Sequence, residues 1–172
     1  MTFCASSIEL SDMLILGIDP GLERIGYGLV RREGSRLTAI SQGLIETPRI
    51  AIPDRLRIID EQFQELLEQY QPDTIATERQ LFAANKTTAL DVAKALGVIL
   101  LACGNKGLPW AEYTPPQVKL AVVGNGAADK RQVQFMVTKL LNLDKTPKPD
   151  DVADALAIAI CHAFQSRITL PG

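Results

Sequence analysis

Four carboxylates stand at positions where an uncompensated charge would be costly. Asp19 and Glu78 each end a short run of apolar and β-branched residues. Asp151 and Asp154 open the strongly apolar stretch 155–160. A buried carboxylate without a partner costs several kcal/mol or takes up a proton, and the sequence places few cations beside these four. Oxygen ligands of this kind suit Mg²⁺ or Mn²⁺, and two such ions could promote in-line attack on a phosphodiester.

Each carboxylate also has a purely structural interpretation. Asp19 can simply enter the turn that follows it, and Glu78 can lie at the exposed end of a strand. Either Asp150 or Asp151 can cap the last helix, because acidic residues favour helix N-termini. Asp154 is harder to explain in this way, since nearly all its neighbours along the chain are apolar. The combination of all four is more specific than any one of them.

The length of 172 residues suits one domain with its own core. The longest apolar stretches have about 10 residues, against roughly 20 for a membrane span. Residues 1–12 lack the basic start and the continuous apolar segment of a signal peptide, and we expect a flexible extension there. We expect the folded domain to cover 13–165 and a short tail to cover 166–172.

Three cysteines, Cys4, Cys103 and Cys161, form no CxxC pair and leave one cysteine over. This pattern favours the reducing cytoplasm and gives neither a disulfide framework nor a thiolate zinc site.

Charge is unevenly distributed along the chain. The net charge is −2, but residues 1–78 hold 7 Lys/Arg against 13 Asp/Glu, whereas residues 79–172 hold 11 against 7. Without Asp151 and Asp154 the second part would stand at +6. A basic surface beside an acidic metal centre is what an enzyme acting on phosphodiesters requires. Ordinary scatter of surface charge explains the same distribution about as well.

The spacing of apolar residues gives the order of the secondary-structure elements. Three strands with short links favour an antiparallel meander, and helices then alternate with two further strands. This order predicts an α/β fold of the ribonuclease H-like type, with a five-stranded mixed sheet flanked by helices. The predicted elements are strands at 13–19, 25–30 and 36–47, a helix at 54–70, a strand at 73–78, a helix at 86–103, a strand at 108–113, and helices at 117–123, 130–142 and 150–165.

These elements would bring the four carboxylates together. Asp19 and Glu78 end strands, and parallel neighbours would place both at one edge of the sheet. Asp151 and Asp154 are three residues apart, so a helix presents them on one face.

The motifs around these residues are similar to those of the RuvC family of crossover-junction endodeoxyribonucleases. The similarity covers roughly residues 13–164, through Gly17-Ile18-Asp19-Pro20-Gly21, Thr77-Glu78 and the segment Asp151–Ala159. It extends to Gly26-Tyr27-Gly28 and to residues 117–124. The resemblance implies a homodimer that resolves Holliday junctions in recombination and DNA repair by nicking two strands of like polarity. It also implies two Mg²⁺ ions per subunit, which Mn²⁺ can replace, and a RuvA–RuvB branch-migration complex as partner.

The resemblance assigns the metal ligands and the catalytic residues to Asp19, Glu78, Asp151 and Asp154. Asp150 is the rival to Asp151, but only the pair 151/154 keeps the Asp-x-x-Asp spacing of the family.

Several residues are candidates for contacts with DNA. Lys119 and Lys130 match basic positions that the family uses against DNA. Lys130-Arg131 starts a predicted helix, where a bound phosphate would offset the unfavourable interaction with the helix dipole. Asn85-Lys86, shortly after Glu78, could also reach the backbone. A solvated helix face is the alternative for these charges.

One position departs from the family pattern. Relatives commonly carry an aromatic residue three positions after the glutamate, whereas this chain has Leu81 there and Phe82 next to it. An exposed Phe82 could stack on a base at the crossover, or it could anchor the loop in the protein. We expect it to stack.

The predicted helix 86–103 is apolar on more faces than its own sheet can cover, so we expect it to form the dimer interface. A twofold dimer would present two identical sites to a twofold-related junction. We expect His162 to be structural and Trp110 to belong to the core.

Three other functions compete with this interpretation. The stretch Asp19-Pro20-Gly21 to Gly26 also resembles smaller RuvC-like nucleases of ribosomal RNA processing, which lack the full set of basic and Asp-x-x-Asp matches. An actin-like or sugar-kinase ATPase would need two lobes, for which 172 residues are too few. A non-catalytic junction-binding protein would have little use for four acids beside DNA, since without metal they repel phosphate.

Overall fold

The structure is a computed structural model that describes residues 12–79 and 86–166. Five strands and five helices lie within these ranges, in the predicted order. The predicted extension before residue 12 and nearly all of the predicted tail lie outside the described residues, as do Leu81, Phe82 and Asn85. The elements are β1 (Met13–Asp19), β2 (Arg24–Glu33), β3 (Arg36–Glu46), α1 (Ile52–Tyr70), β4 (Thr74–Glu78), α2 (Lys86–Lys106), β5 (Trp110–Tyr113), α3 (Pro115–Val123), α4 (Lys130–Leu140) and α5 (Asp150–Gln165).

A single mixed sheet forms the centre of the fold. Its strand order is β3-β2-β1-β4-β5, with β1, β2 and β3 antiparallel and with β4 and β5 parallel to β1. The predicted meander and the predicted mixed five-stranded sheet are therefore confirmed. No helix within the described part of the chain is long and apolar enough to cross a membrane.

The alternation of residues along β1 divides the core into two layers. Ile15 faces the layer that α3, α4 and α5 cover, together with Val133 and Leu156. Leu16 and its neighbours at alternate positions face the opposite layer, where Phe63 of α1 packs with residues of α2. The period of two in a strand places successive side chains on opposite faces, and both faces of this strand are buried.

Helix α5 packs directly against the sheet at three glycines, where a side chain would not fit. A side chain at Gly17 would collide with the backbone of Ala155, and a side chain at Gly28 would collide with Leu156. At Gly26 the collision would be with the carbonyl group of Asp151, in the first turn of the helix. The glycines on β1 and β2 thus set the distance between the sheet and the helix that carries two of the four carboxylates.

Two minor expectations have different outcomes. His162 is structural as expected: its Nδ1 lies 2.7 Å from the Tyr113 hydroxyl and its Nε2 3.3 Å from Thr74 Oγ1. The prediction that Trp110 belongs to the core is wrong, because β5 is an edge strand and the side chain is 41% exposed. Its indole instead donates a hydrogen bond to Thr77 Oγ1 (3.0 Å).

Candidate active site

Asp19 and Glu78 lie side by side at one edge of the sheet. Strands β1 and β4 are parallel, and their register ends with the pair Ile18 and Thr77. Asp19 and Glu78 each follow this pair directly, so the two carboxylates leave the carboxyl ends of adjacent strands. Both side chains are partly buried. The edge at which parallel strands end is where α/β sheets bind ligands.

Asp151 and Asp154 reach the same edge from the first turns of α5. Spacing of three residues places them on one face of the helix, and both are partly exposed. The close approach of Asp151 to Gly26 fixes this end of the helix against β2, where Gly26 pairs with Asp19. The structure therefore brings together all four carboxylates that the sequence singles out.

The pKa of Asp19 is strongly raised by its surroundings. Burial raises its pKa from the ordinary value of 3.8 to about 8, with further contributions from Asp154, Glu78 and Asp151 in that order. Lys130 acts in the opposite direction. A proton or a metal cation would relieve this accumulation of negative charge.

Glu78 and Asp154 are subject to the same opposing influences. Burial raises the pKa of Glu78, as does the charge of Asp154, while Lys119 and Lys130 lower it. Burial likewise raises the pKa of Asp154, and Lys130 lowers it. The two lysines therefore lie close enough to compensate part of the charge of the carboxylates.

The four acids have few cations near them along the sequence, but the expectation that few cations lie beside them in the folded protein is wrong. Arg24 Nη2 lies 3.3 Å from Asp151 Oδ2, and Lys130 Nζ lies 3.3 Å from Asp154 Oδ2. Arg24 opens β2 and Lys130 opens α4, so the fold supplies both cations from elements other than α5.

Asp150 has partners of its own. It lies 3.2 Å from Lys130 Nζ and 3.4 Å from Lys148 Nζ, and it accepts a hydrogen bond from Gln134 Nε2 (3.0 Å). Hydrogen bonds from Lys130 and Gln134 lower the pKa of this partly exposed carboxyl. Asp151 contributes to the raised pKa of Asp19, whereas Asp150 is surrounded by donors.

Lys119 and Lys130 share a cavity with two of the carboxylates. The cavity measures about 230 Å³ and is lined by Glu78, Asp154, both lysines and apolar residues such as Val118. Capping boxes fix the helices that carry the lysines. Thr114 and Gln117 cap α3, and Asp129 and Gln132 cap α4 directly before Lys130.

The other candidates for DNA contacts do not join this cavity. Arg131 points to a separate depression, which it lines with Val123 and Phe135. Lys86 is the first residue of α2, but its side chain lies outside the described part of the structure, as do Phe82 and Asn85.

The loop that follows Asp19 is held by a chain of hydrogen bonds. The Thr47 hydroxyl donates to the carbonyl oxygen of Leu22 (2.6 Å), and it accepts from Arg55 Nε (2.8 Å). The backbone N–H of Thr47 donates to Glu23 O (3.1 Å). Thr47, which directly follows β3, and Arg55 of α1 thus position the turn beside the carboxylates.

The donor set fits a hard divalent cation. Four carboxylates offer oxygen ligands. Burial, followed by the negative charge of the other three, raises the pKa of Asp19, and a cation would offset that charge. Within residues 12–79 and 86–166, no three His, Cys, Asp or Glu side chains are already arranged around one ion position. Two of the four acids are engaged instead in the ion pairs with Arg24 and Lys130.

Comparison with known proteins identifies the family to which this arrangement belongs. The sequence model of the family described as "Crossover junction endodeoxyribonuclease RuvC" matches residues 15–162. The chain belongs to the RuvC family. RuvC from Syntrophomonas wolfei is 51% identical over 158 residues, which cover 91% of this chain and 92% of that protein. RuvC from Alkaliphilus metalliredigens is 52% identical over 156 residues, covering 90% and 95%.

Solved structures agree with this assignment. Thermus thermophilus RuvC in complex with a Holliday junction substrate superposes with a TM-score of 0.86 at 36% identity, covering 91% of this chain and 96% of that one. The ribonuclease H-like fold predicted from the sequence is therefore confirmed, and so is the prediction of a crossover-junction endodeoxyribonuclease. Membership of the RuvC family, whose nucleases depend on metal, decides against the RNA-processing and ATPase alternatives.

Sequence reasoning missed two functional features of this RuvC family member. Arg24 lies within the stretch between Gly21 and Gly26, and nothing in its sequence neighbourhood signals a pair with Asp151. The position of Asp150 between Lys130 and Lys148 was equally hidden. A lysine within the sequence Lys148-Pro149-Asp150 is a weak signal for the second contact only.

Proposed function

We propose that this chain resolves Holliday junctions in recombination and DNA repair, and that Asp19, Glu78, Asp151 and Asp154 bind the metal that its nuclease activity needs. One observation carries the proposal: three elements bring four carboxylates to one sheet edge, where burial and mutual repulsion raise the pKa of Asp19 to about 8. Hard oxygen ligands favour Mg²⁺, with Mn²⁺ as a substitute, and four carboxylates suffice for two ions.

Bound metal would supply an activated water molecule and a positive charge to stabilise the leaving oxygen. The protein contributes the positions of the groups. Asp19 must be ionised to act as a ligand, and its pKa near 8 makes this step dependent on pH. Lys119 and Lys130 line the same cavity as Glu78 and Asp154, and their ammonium groups would bind a phosphate of the DNA strand.

Binding of a four-way junction is supported by Thermus thermophilus RuvC, which is 36% identical to this chain and has a structure in complex with a Holliday junction substrate. Symmetric nicking of two strands of like polarity needs two sites related by a twofold axis. A homodimer would provide two such sites. Helix α2 is the proposed interface, because Leu90 and Leu101 on its outer side are 63% and 65% exposed. Coupling to a RuvA–RuvB complex and a cytoplasmic location stay predictions.

Phe82 lies outside the described residues, and its role stays a prediction from the sequence. If its ring stacks on a base at the crossover, Phe82→Ala should slow cleavage of a fully paired junction more than cleavage of a junction with central mismatches. Equal slowing of both substrates, or a loss of thermal stability alone, would make Phe82 a loop anchor.

Substrate and metal preference test the proposal directly. The protein should cleave a synthetic four-way junction in the presence of Mg²⁺, and it should leave linear duplex DNA and RNA of the same sequence largely intact. Chelation of the metal with EDTA should stop cleavage, and junction binding should persist. Binding without any metal-dependent cleavage would identify a non-catalytic junction-binding protein instead.

A further inference from the structure

The side chain of Lys130 is shared between two carboxylates. Its Nζ lies 3.2 Å from Asp150 Oδ2 and 3.3 Å from Asp154 Oδ2. Asp150 and Asp154 are four residues apart on α5, so they lie one above the other on the face of the helix that α4 approaches. The ammonium group therefore bridges one proposed metal ligand and one carboxylate without an assigned role.

This arrangement conflicts with metal binding at Asp154. The ammonium group of Lys130 already supplies positive charge to the carboxylate that would bind the ion. Asp154 must give up this ion pair if its oxygens are to coordinate a divalent cation. A free lysine close to a dication would be repelled and could swing into solvent, because its side chain is 53% exposed.

Asp150 is placed to prevent this loss. Gln134 Nε2 donates to Asp150 Oδ1 at 3.0 Å and so fixes the orientation of the carboxylate, while Oδ2 faces Lys130. Gln134 lies one turn beyond Lys130 on α4, and the three groups form one contact between α4 and α5.

We propose that Asp150 is a positioning residue that holds Lys130 beside the active site when Asp154 coordinates the metal. Without metal, Lys130 partly neutralises Asp154 and competes with the cation. With metal, the pair with Asp150 keeps the ammonium group at the rim of the cavity, where a DNA phosphate would meet it. The inference rests on the proposed assignment of Asp154 as a ligand.

Binding of Mn²⁺ to the protein without DNA, followed by electron paramagnetic resonance, separates these roles from activity. Lys130→Met should tighten Mn²⁺ binding by about threefold or more, because the competing cation is gone. Asp150→Asn should weaken it by a similar factor, because Lys130 then pairs with Asp154 alone. Asp150→Glu should restore binding.

The double variant shows whether Asp150 acts through Lys130. In the Lys130→Met background, Asp150→Asn should have a clearly smaller effect, since only a nearby charge is lost. Lys148→Met is the matched control: Lys148 also pairs with Asp150 (3.4 Å), and its removal should not tighten Mn²⁺ binding as removal of Lys130 does.

Three results would overturn the inference in distinguishable ways. If Asp154→Asn greatly weakens Mn²⁺ binding but Lys130→Met leaves it unchanged, the ligand assignment stands and the competition by Lys130 is wrong. If the Asp154→Asn protein binds Mn²⁺ like the wild type, Asp154 is not a ligand, and the inferred role of Asp150 is then wrong as well. Equal effects of Asp150→Asn with and without Lys130 would leave Asp150 as a source of charge only.

Discussion

Gly26 of β2 lies directly against the backbone carbonyl group of Asp151 in the first turn of α5. Gly26 is also the register partner of Asp19 across β1 and β2. One glycine thus links two of the four carboxylates, because it lets the start of α5 approach β2 at the position that pairs with Asp19. Any side chain at this position would push the helix away from the sheet.

Gly26→Ala should therefore lower both stability and cleavage. The added methyl group would meet backbone atoms, which cannot give way as the end of a side chain can, and overpacking of this kind typically costs about 1–3 kcal/mol. Thermal unfolding and junction cleavage would measure the two effects. Gly43→Ala is the matched control, because a side chain there would meet only the outer end of the Tyr27 ring. Wild-type cleavage by Gly26→Ala would show that the contact does not set the site.

The raised pKa of Asp19 makes a prediction about stability and pH. Its pKa is about 8 in the folded protein and 3.8 ordinarily, so the folded chain binds the extra proton between these values. Stability of the metal-free protein should fall as pH rises from about 4 to about 8. Asp19→Asn should remove this loss and stabilise the protein at pH 8 by at least about 1.4 kcal/mol, the equivalent of one pKa unit.

Urea unfolding in EDTA at pH 5 and pH 8 measures the effect. The advantage of the Asn variant should be larger at pH 8, and added Mg²⁺ should reduce it by binding the folded wild type. The same advantage at both pH values would mean that Asp19 does not carry the proton.

Electrostatic contacts to DNA should depend on the lysines of the cavity. Lys119→Ala and Lys130→Ala should each reduce the slope of log affinity against log salt by about 1 if each lysine binds one phosphate. Fluorescence anisotropy with a labelled junction in EDTA would measure the slope. Lys139→Ala is the control, because Lys139 lies at the opposite end of α4 from Lys130. Its Nζ is 5.6 Å from the centroid of the Phe135 ring. Slopes equal to that of the wild type would mean that neither lysine binds a phosphate and that both belong to the solvated surface.

Arg131 was also predicted to bind DNA, and it lines a different depression from the two lysines. A comparison of Arg131→Ala in the same salt series would show whether DNA extends over that surface.

Dimerisation should depend on the outer face of α2. Ile99 packs into the core, whereas Leu101 is 65% exposed on the opposite side. Leu101→Glu should convert a dimer into a monomer at micromolar concentration, as measured by light scattering. Leu120→Glu is the matched control, since this leucine of α3 is exposed to a similar degree (58%). A wild-type protein that is already monomeric would refute the interface.

Much of the fold was predictable because the determining signals are local. Alternation in β1 and the period of α1 follow from the sequence, and the bounds of most elements agree within a few residues. Helix α1 begins at Ile52 rather than at residue 54, because Pro53 is tolerated in the first turn of a helix. The positions of Asp19 and Glu78 at strand ends follow from the same local patterns.

The partners of the carboxylates were not predictable, because they depend on how distant elements pack. Arg24 meets Asp151 only when β2 and α5 lie together, and Lys130 reaches Asp154 only through the contact of α4 with α5. The exposure of Trp110 likewise depends on the strand order, which places β5 at an edge. Periodicity reports which face of an element is apolar, but it does not report what covers that face.

The central claim is that four carboxylates hold the metal that cuts the junction. The most direct test is cleavage of a four-way junction by Asp19→Asn, Glu78→Gln, Asp151→Asn and Asp154→Asn, with junction binding measured in parallel. Each variant should lose cleavage by at least about 100-fold, while junction binding in EDTA is kept or becomes tighter because negative charge is removed. Full cleavage by Asp151→Asn would move that ligand to Asp150, and full cleavage by any of the other three would contradict the account.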